Sequence, residues 1–143
     1  MMDLKLYNKQ ILGFAASISR VGRLANPGAS VTAHSRLCGS RITVDINLND
    51  NVITDYAHEL RACAISQAVA SVIAEVVVGL TKEEINDGMK ILNAILQDKT
   101  LPPLGIWAKL EAFLPVADFH NRHGSALLPF QALQSAIAEA SPE

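Results

Sequence analysis

Between Ser40 and Leu60 the hydrophobic pattern admits one kind of local structure. Ile42, Val44, Ile46 and Leu48 alternate with Arg41, Thr43, Asp45 and Asn47. A period of two places successive side chains on opposite faces of a strand. Asn49-Asp50-Asn51 supplies turn residues, and Val52, Thr54, Tyr56, His58 and Leu60 return with the same period. A hairpin symmetric about Asp50 sets positions 42, 44, 46 and 48 opposite 58, 56, 54 and 52, so the two apolar faces coincide. The same register brings Cys38 opposite about residue 62, at the same end of the sheet as Cys63.

Past Leu60 the period lengthens. Ala62, Ile65, Val69, Val72 and Val76 recur at three- and four-residue steps, which predicts a helix over 62–78, ended by Gly79. Thr81-Lys82-Glu83-Glu84 has capping-box spacing, and Ile85, Met89, Leu92 and Leu96 carry the next helix to about Gln97. Leu101-Pro102-Pro103 reads as loop, and a short helix over Ile106–Phe113 should end at Pro115. A last helix over 126–140 takes Ser125 as its N-cap. Upstream, a first helix is expected over 3–12, then an apolar stretch ending near Leu24. Asn26-Pro27-Gly28 breaks that pattern before a first strand from Ala29. Strands followed by helices predict an α+β fold, a three-stranded antiparallel sheet with helices packed on one face.

A length of 143 residues suits one domain, 1–143, and 50% hydrophobic residues can supply its core. Aromatic residues are only 5%, so that core must be mostly aliphatic and alanine. A net charge of −2 lacks the basic excess that nucleic-acid binding requires. The run Ala62–Leu80 contains Ser66, Gln67, Ser71 and Glu75, so it reads as a buried helix rather than a membrane span. The N-terminal segment lacks the apolar stretch of a signal peptide, and a cytoplasmic protein is expected. Two cysteines are too few for a secreted disulfide scaffold.

Cys63 opens a helix, where unpaired amides and the helix dipole favour negative charge on sulfur. Cys38 precedes Gly39, which allows a tight turn and close approach of a ligand. Two thiolates at one end of a sheet are soft ligands for zinc or an iron–sulfur centre. Equally, both thiols can be buried small hydrophobes, and two alone do not complete a tetrahedral site. His123, in the segment Phe119 to Ser125, is a candidate third ligand if the last helix starts beside the hairpin end; otherwise the segment is a solvated loop. His34 and His58 read as strand-surface or half-buried residues, and Glu59 and Asp118 as polar residues without an obvious partner. No glycine-rich phosphate loop, Gly-x-Ser-x-Gly elbow or Cys-x-x-Cys pair is present. A Cys63–His123 hydrolase lacks a locatable oxyanion hole and orienting group, and the chain is not read as an enzyme.

Three segments in order resemble one family. Leu37-Cys38-Gly39-Ser40-Arg41-Ile42-Thr43-Val44 resembles the first signature of the U-type iron–sulfur cluster assembly scaffolds, the NifU N-terminal-like, IscU- and SufU-type proteins. Cys63-Ala64-Ile65-Ser66-Gln67-Ala68 resembles the second, and Arg122 through Phe130 the third. The resemblance spans about Leu6 to Ile137 and implies a SufE/NifU-like fold. It implies a nascent iron–sulfur cluster, iron or zinc held by three cysteines and an aspartate. Cys38 and Cys63 match the first two cysteines. Ser40 stands at the family's aspartate, Ser125 at its third cysteine, and His123 lies two residues before Ser125. The third cysteine accepts sulfur from a desulfurase in several members, a role that serine does not fill. The resemblance also implies a cysteine desulfurase and apo-protein acceptors as partners, and it is compatible with a homo-oligomer. Leu101-Pro102-Pro103-Leu104-Gly105 is similar to a chaperone-recognition motif of the IscU branch, but it lies well before the third signature and has Gly105 in place of lysine, so it reads as a loop.

Overall fold

The computed structural model describes residues 8–36 and 39–141. Its elements are helix α1 (Lys9–Ala16), strands β1 (Ala29–His34), β2 (Arg41–Asn49) and β3 (Val52–Arg61), and helices α2 (Ala64–Val76), α3 (Lys82–Asp98) and α4 (His123–Ala140). A 3₁₀ segment, Ala108–Asp118, joins α3 to the last part of the chain. The strands form one antiparallel sheet in the order β1-β2-β3, and α4 lies across β1 and β2. This is the expected α+β arrangement.

The hairpin forms as its alternation predicts, with a corrected register. Ile42 faces Leu60, Val44 faces His58 and Ile46 faces Tyr56, two positions further along β3 than a hairpin symmetric about Asp50 allows. Beyond the bulge the even shift leaves Tyr56, His58 and Leu60 on their predicted face. The cause is the turn. Asp50 (φ 51°) and Asn51 (φ 65°) both adopt the left-handed conformation of a two-residue hairpin loop. Next to it, Asn47 faces Asp55 and Leu48 faces Ile53, so Thr54 is an extra residue, a β-bulge. Ile53, not Thr54, therefore points into the core.

Ile42, Val44 and Ile46 are fully buried, together with Ile65, Val69 and Ile73 of α2 and Phe130 and Leu133 of α4. Ala68, Ala70, Ser71 and Ala74 keep α2 slim, and α1 and α4 pack against it. The outer edge of β3 is covered by the segment after α1. Gly22 N donates to His58 O at 2.9 Å and His58 N donates to Arg20 O at 3.1 Å. These bonds occupy backbone groups that an open strand edge would leave unpaired.

Three helix expectations need correction. The helix expected over 3–12 lies outside the described residues as far as residue 7; among the described residues α1 runs Lys9–Ala16, past the expected end at 12, with Asn8 Oδ1 accepting from Ile11 N at 2.9 Å. Pro115 does not end its element. The 3₁₀ turns run through it to Asp118. Short i→i+3 turns such as Leu110 N to Trp107 O tolerate the missing proline N–H more readily than an α-helix does. Ser125 is not a cap. A 3₁₀ turn, His120–Arg122, runs straight into α4, so the backbone is already helical before Ser125. The capping box on α3 is present, with Glu84 N donating to Thr81 Oγ1 at 3.1 Å and Thr81 N to Glu84 Oε1 at 3.0 Å.

Gly88 marks where α3 receives Trp107. A Cβ there would lie 2.5 Å from Trp107 Cε2 and 2.9 Å from Phe130 Cε1. The indole is anchored by its Nε1, which donates to Glu84 O at 2.8 Å, and it meets Phe130 edge-on. Gly88→Ala is expected to destabilise by about 1–3 kcal/mol, because overpacking outweighs the gain in helix propensity. Urea denaturation measures it. A variant as stable as the wild type would show that Trp107 yields without cost.

Candidate functional site

Cys63 is the N-cap of α2, with extended backbone (φ −67°, ψ 166°), and is partly exposed. Two links tie it to its surroundings. Its amide donates to Ser40 Oγ at 3.3 Å. Its Sγ lies 3.7 Å from Ser66 Oγ, one helical turn on, within the range of a weak thiol hydrogen bond. Ser66 Oγ in turn donates to Ser125 O at 2.6 Å. A relay of thiol, hydroxyl and carbonyl thus joins the first turn of α2 to the first turn of α4.

Ser40 is held at the mouth of β2 by a small closed turn. Ser35 N donates to Ser40 O at 2.8 Å, and Gly39 N donates to Ser35 O at 3.0 Å. Gly39 has φ 68°, the left-handed conformation that glycine adopts without penalty. Ser40, Ser66 and Ser125 are almost fully buried. The structure therefore brings together three of the positions expected from the sequence, Ser40, Cys63 and Ser125. Cys38 lies outside the described residues, and so does its expected pairing with Cys63.

His123 is buried in the first turn of α4. Its Nε2 lies 3.0 Å from Ala117 O. A carbonyl only accepts, so Nε2 carries a proton. The ring sits beside His120, centroid to centroid 5.0 Å. Among the described residues, no group of three or more His, Cys, Asp or Glu side chains is placed to hold a metal ion. The groups described around Cys63 are its thiol, the hydroxyls of Ser40 and Ser66, and the Ser125 carbonyl. Hydroxyls are weak, hard donors beside soft thiolates.

The expectation for His58 is corrected. It is fully buried, not half-buried, with Nε2 at 2.8 Å from Ser19 O and Nδ1 at 3.0 Å from Tyr56 Oη. Burial lowers its pKa, against an opposing pull from the Ser19 carbonyl. Burial also raises the Tyr56 pKa. Both side chains serve the core. Glu59 and Asp118 also have partners, Arg23 at 3.8 Å and Lys99 at 2.7 Å.

Two features escape sequence reasoning. Ser66 follows Cys63 by three residues in a helical first turn, a spacing that could have flagged it. Asp45 is the other. It occupies an outward strand position yet is completely buried, because Arg23 folds over it from 22 residues upstream. It accepts from Arg23 Nε at 2.7 Å, Ser30 Oγ at 2.6 Å and Leu24 N at 3.0 Å.

Comparison with known proteins places the chain and its fold. Residues 6–112 match the family described as the NifU-like N terminal domain. Over 134 residues the chain is 27% identical to the zinc-dependent sulfurtransferase SufU of Bacillus subtilis, covering 94% of this chain and 90% of that one. It is 34% identical over 80 residues to the iron-sulfur cluster assembly scaffold protein IscU of Thermotoga maritima, 56% of each chain. Among solved structures, the N-terminal part of a nitrogen-fixing NifU-like protein from Brucella abortus superposes with a TM-score of 0.91. That pair is 42% identical and covers 96% of this chain and 95% of that one.

Proposed function

The chain belongs to the NifU-like N-terminal domain family, and from that premise we propose that it is an iron–sulfur cluster assembly scaffold-like protein folded as one domain, 1–143. It binds iron, a nascent cluster or zinc as cargo through Cys38 and Cys63, with His123 as a third donor and Ser40 and Ser125 lining the site. The observation that supports this is the position of Cys63. It caps α2 between Ser40, which accepts from its amide, and Ser66, which ties it to Ser125. The amides of the first turn of α2 favour an anionic cluster at that point. With neutral hydroxyls at two of the four ligand positions, binding is weak and release easy. A cysteine desulfurase and apo-protein acceptors are the partners, in the cytoplasm. No helix among the described residues is long and apolar enough to cross a membrane. In this reading the protein carries cargo and is not an enzyme. The SufU relative is named a sulfurtransferase, but here Ser125 stands where the family's sulfur-accepting third cysteine is expected.

Anaerobic reconstitution with iron and sulfide, and separately with zinc, tests the reading. Metal bound by the wild type is expected to fall to background in Cys38→Ala and in Cys63→Ala. Wild-type binding no higher than that of the double variant would overturn it. The two buried serines favour a second reading, in which the fold is kept as an interaction module for a desulfurase without holding a cluster. Desulfurase capture that persists in the double cysteine variant, without metal, is the result expected there.

A further inference from the structure

The outer face of the sheet, away from the helices, carries three cross-strand rows. They are His34–Arg41–Arg61, then Thr32–Thr43–Glu59, then Ser30–Asp45–Ala57. In the third row Arg23 neutralises Asp45, and its Nη1 also approaches Glu59 at 3.8 Å. Among the described residues the first row has no such counterion. Arg41 and Arg61 are exposed and directly opposite each other, and neither guanidinium has a hydrogen-bond or ion-pair partner among the described residues. Like charges facing each other across a strand pair oppose folding.

A cavity of about 390 Å³ lies at this row, lined by Thr32, Arg41, Thr43, Glu59, Leu60 and Arg61. Its volume is in the range of small-molecule sites, roughly 300–1,000 Å³. Thr32 Oγ1 and Thr43 Oγ1 share one hydrogen bond at 2.8 Å. One hydroxyl donates to the other, so one hydroxyl proton remains for a ligand oxygen. Guanidinium forks match the planar, paired oxygens of carboxylates and the oxygens of phosphates.

We propose that this cavity binds a small molecule through an oxyanion, carboxylate or phosphate, clamped between Arg41 and Arg61. The pocket adjoins the thiol end of the sheet, since Arg41 follows Ser40 and Arg61 precedes Cys63 by two residues. It uses none of the proposed metal donors. The inference therefore stands or falls independently of the scaffold reading.

Calorimetric titration of the metal-free protein with citrate, and separately with pyrophosphate, at matched ionic strength, tests it. At least one probe is expected to saturate, and the one that binds more tightly identifies the carboxylate or the phosphate source. Binding should weaken about tenfold or more in Arg41→Gln and in Arg61→Gln, as loss of a charge-assisted pair predicts. Without either probe, at low salt, both variants should melt no lower than the wild type, because a like-charge contact has been removed. Absence of saturable binding by the wild type, or equal binding by the variants, would overturn the proposal. So would variants that melt well below the wild type, since the guanidinium groups would then have a structural role.

Discussion

Ser125→Cys combined with Ser40→Asp is expected to tighten zinc binding by on the order of a hundredfold or more. Four-ligand structural zinc sites contribute about 10–16 kcal/mol, roughly 3 kcal/mol per ligand, which is about a hundredfold each. A serine hydroxyl stays neutral and contributes little of this. A thiolate at 125 and a carboxylate at 40 supply two anionic donors. Both positions already belong to the constellation around Cys63: Ser40 Oγ accepts its amide at 3.3 Å, and Ser125 is joined to it through Ser66. Competition with a chromogenic chelator measures the gain, and a melting curve checks that the variant folds. A folded double variant that binds zinc no more tightly than the wild type would remove these two positions from the site.

Asp45→Ala is expected to cost about 2–3 kcal/mol of stability, a large loss for a substitution on the outer face of a sheet. The carboxylate is completely buried and receives hydrogen bonds from Arg23, Ser30 and the Leu24 amide. Hydrogen bonds to a charged group are worth about 1.5–3 kcal/mol, and the truncation also strands the Leu24 N–H. The pH dependence carries a second signature. Burial by itself raises the Asp45 pKa. The hydrogen bonds from Arg23, Ser30 and Leu24, with the Arg23 charge, outweigh it, and the pKa is lowered. A carboxylate with a depressed folded pKa adds stability above its unfolded value, about 3.9, and loses it as pH falls from there through the folded value. The wild type should therefore lose stability in acid more steeply than Asp45→Ala. Urea midpoints between pH 3 and pH 6 compare them. Parallel profiles would show that Asp45 is not the group responsible.

Much of the scaffold around the site is legible in the sequence because it is written locally. The alternation of Ile42, Val44 and Ile46 assigns each side chain a face without reference to the rest of the chain. Thr81 and Glu84 announce their capping box within four residues. Registers and boundaries are less legible, since they depend on single backbone conformations. The two left-handed residues, Asp50 and Asn51, and the bulge at Thr54 reset the pairing of β2 with β3. The 3₁₀ turn before His123 moves the start of α4 ahead of Ser125.

Partners distant in sequence carry no local signal. His58 alternates like any strand residue, yet Ser19, 39 residues away, makes it a core group. Asp45 reads as a solvated strand position until Arg23 and Leu24 close over it. The sequence alone determined the element types, the apolar face of β2 and the order of the Cys38, Cys63 and Ser125 segments, because periodicity and motif spacing are properties of neighbouring residues. Only the tertiary structure decided that Ser66 bridges Cys63 to Ser125, and that Arg41 faces Arg61 beside a cavity. Those meetings depend on how α4 packs against α2 and on the register of β3, which short-range pattern does not encode.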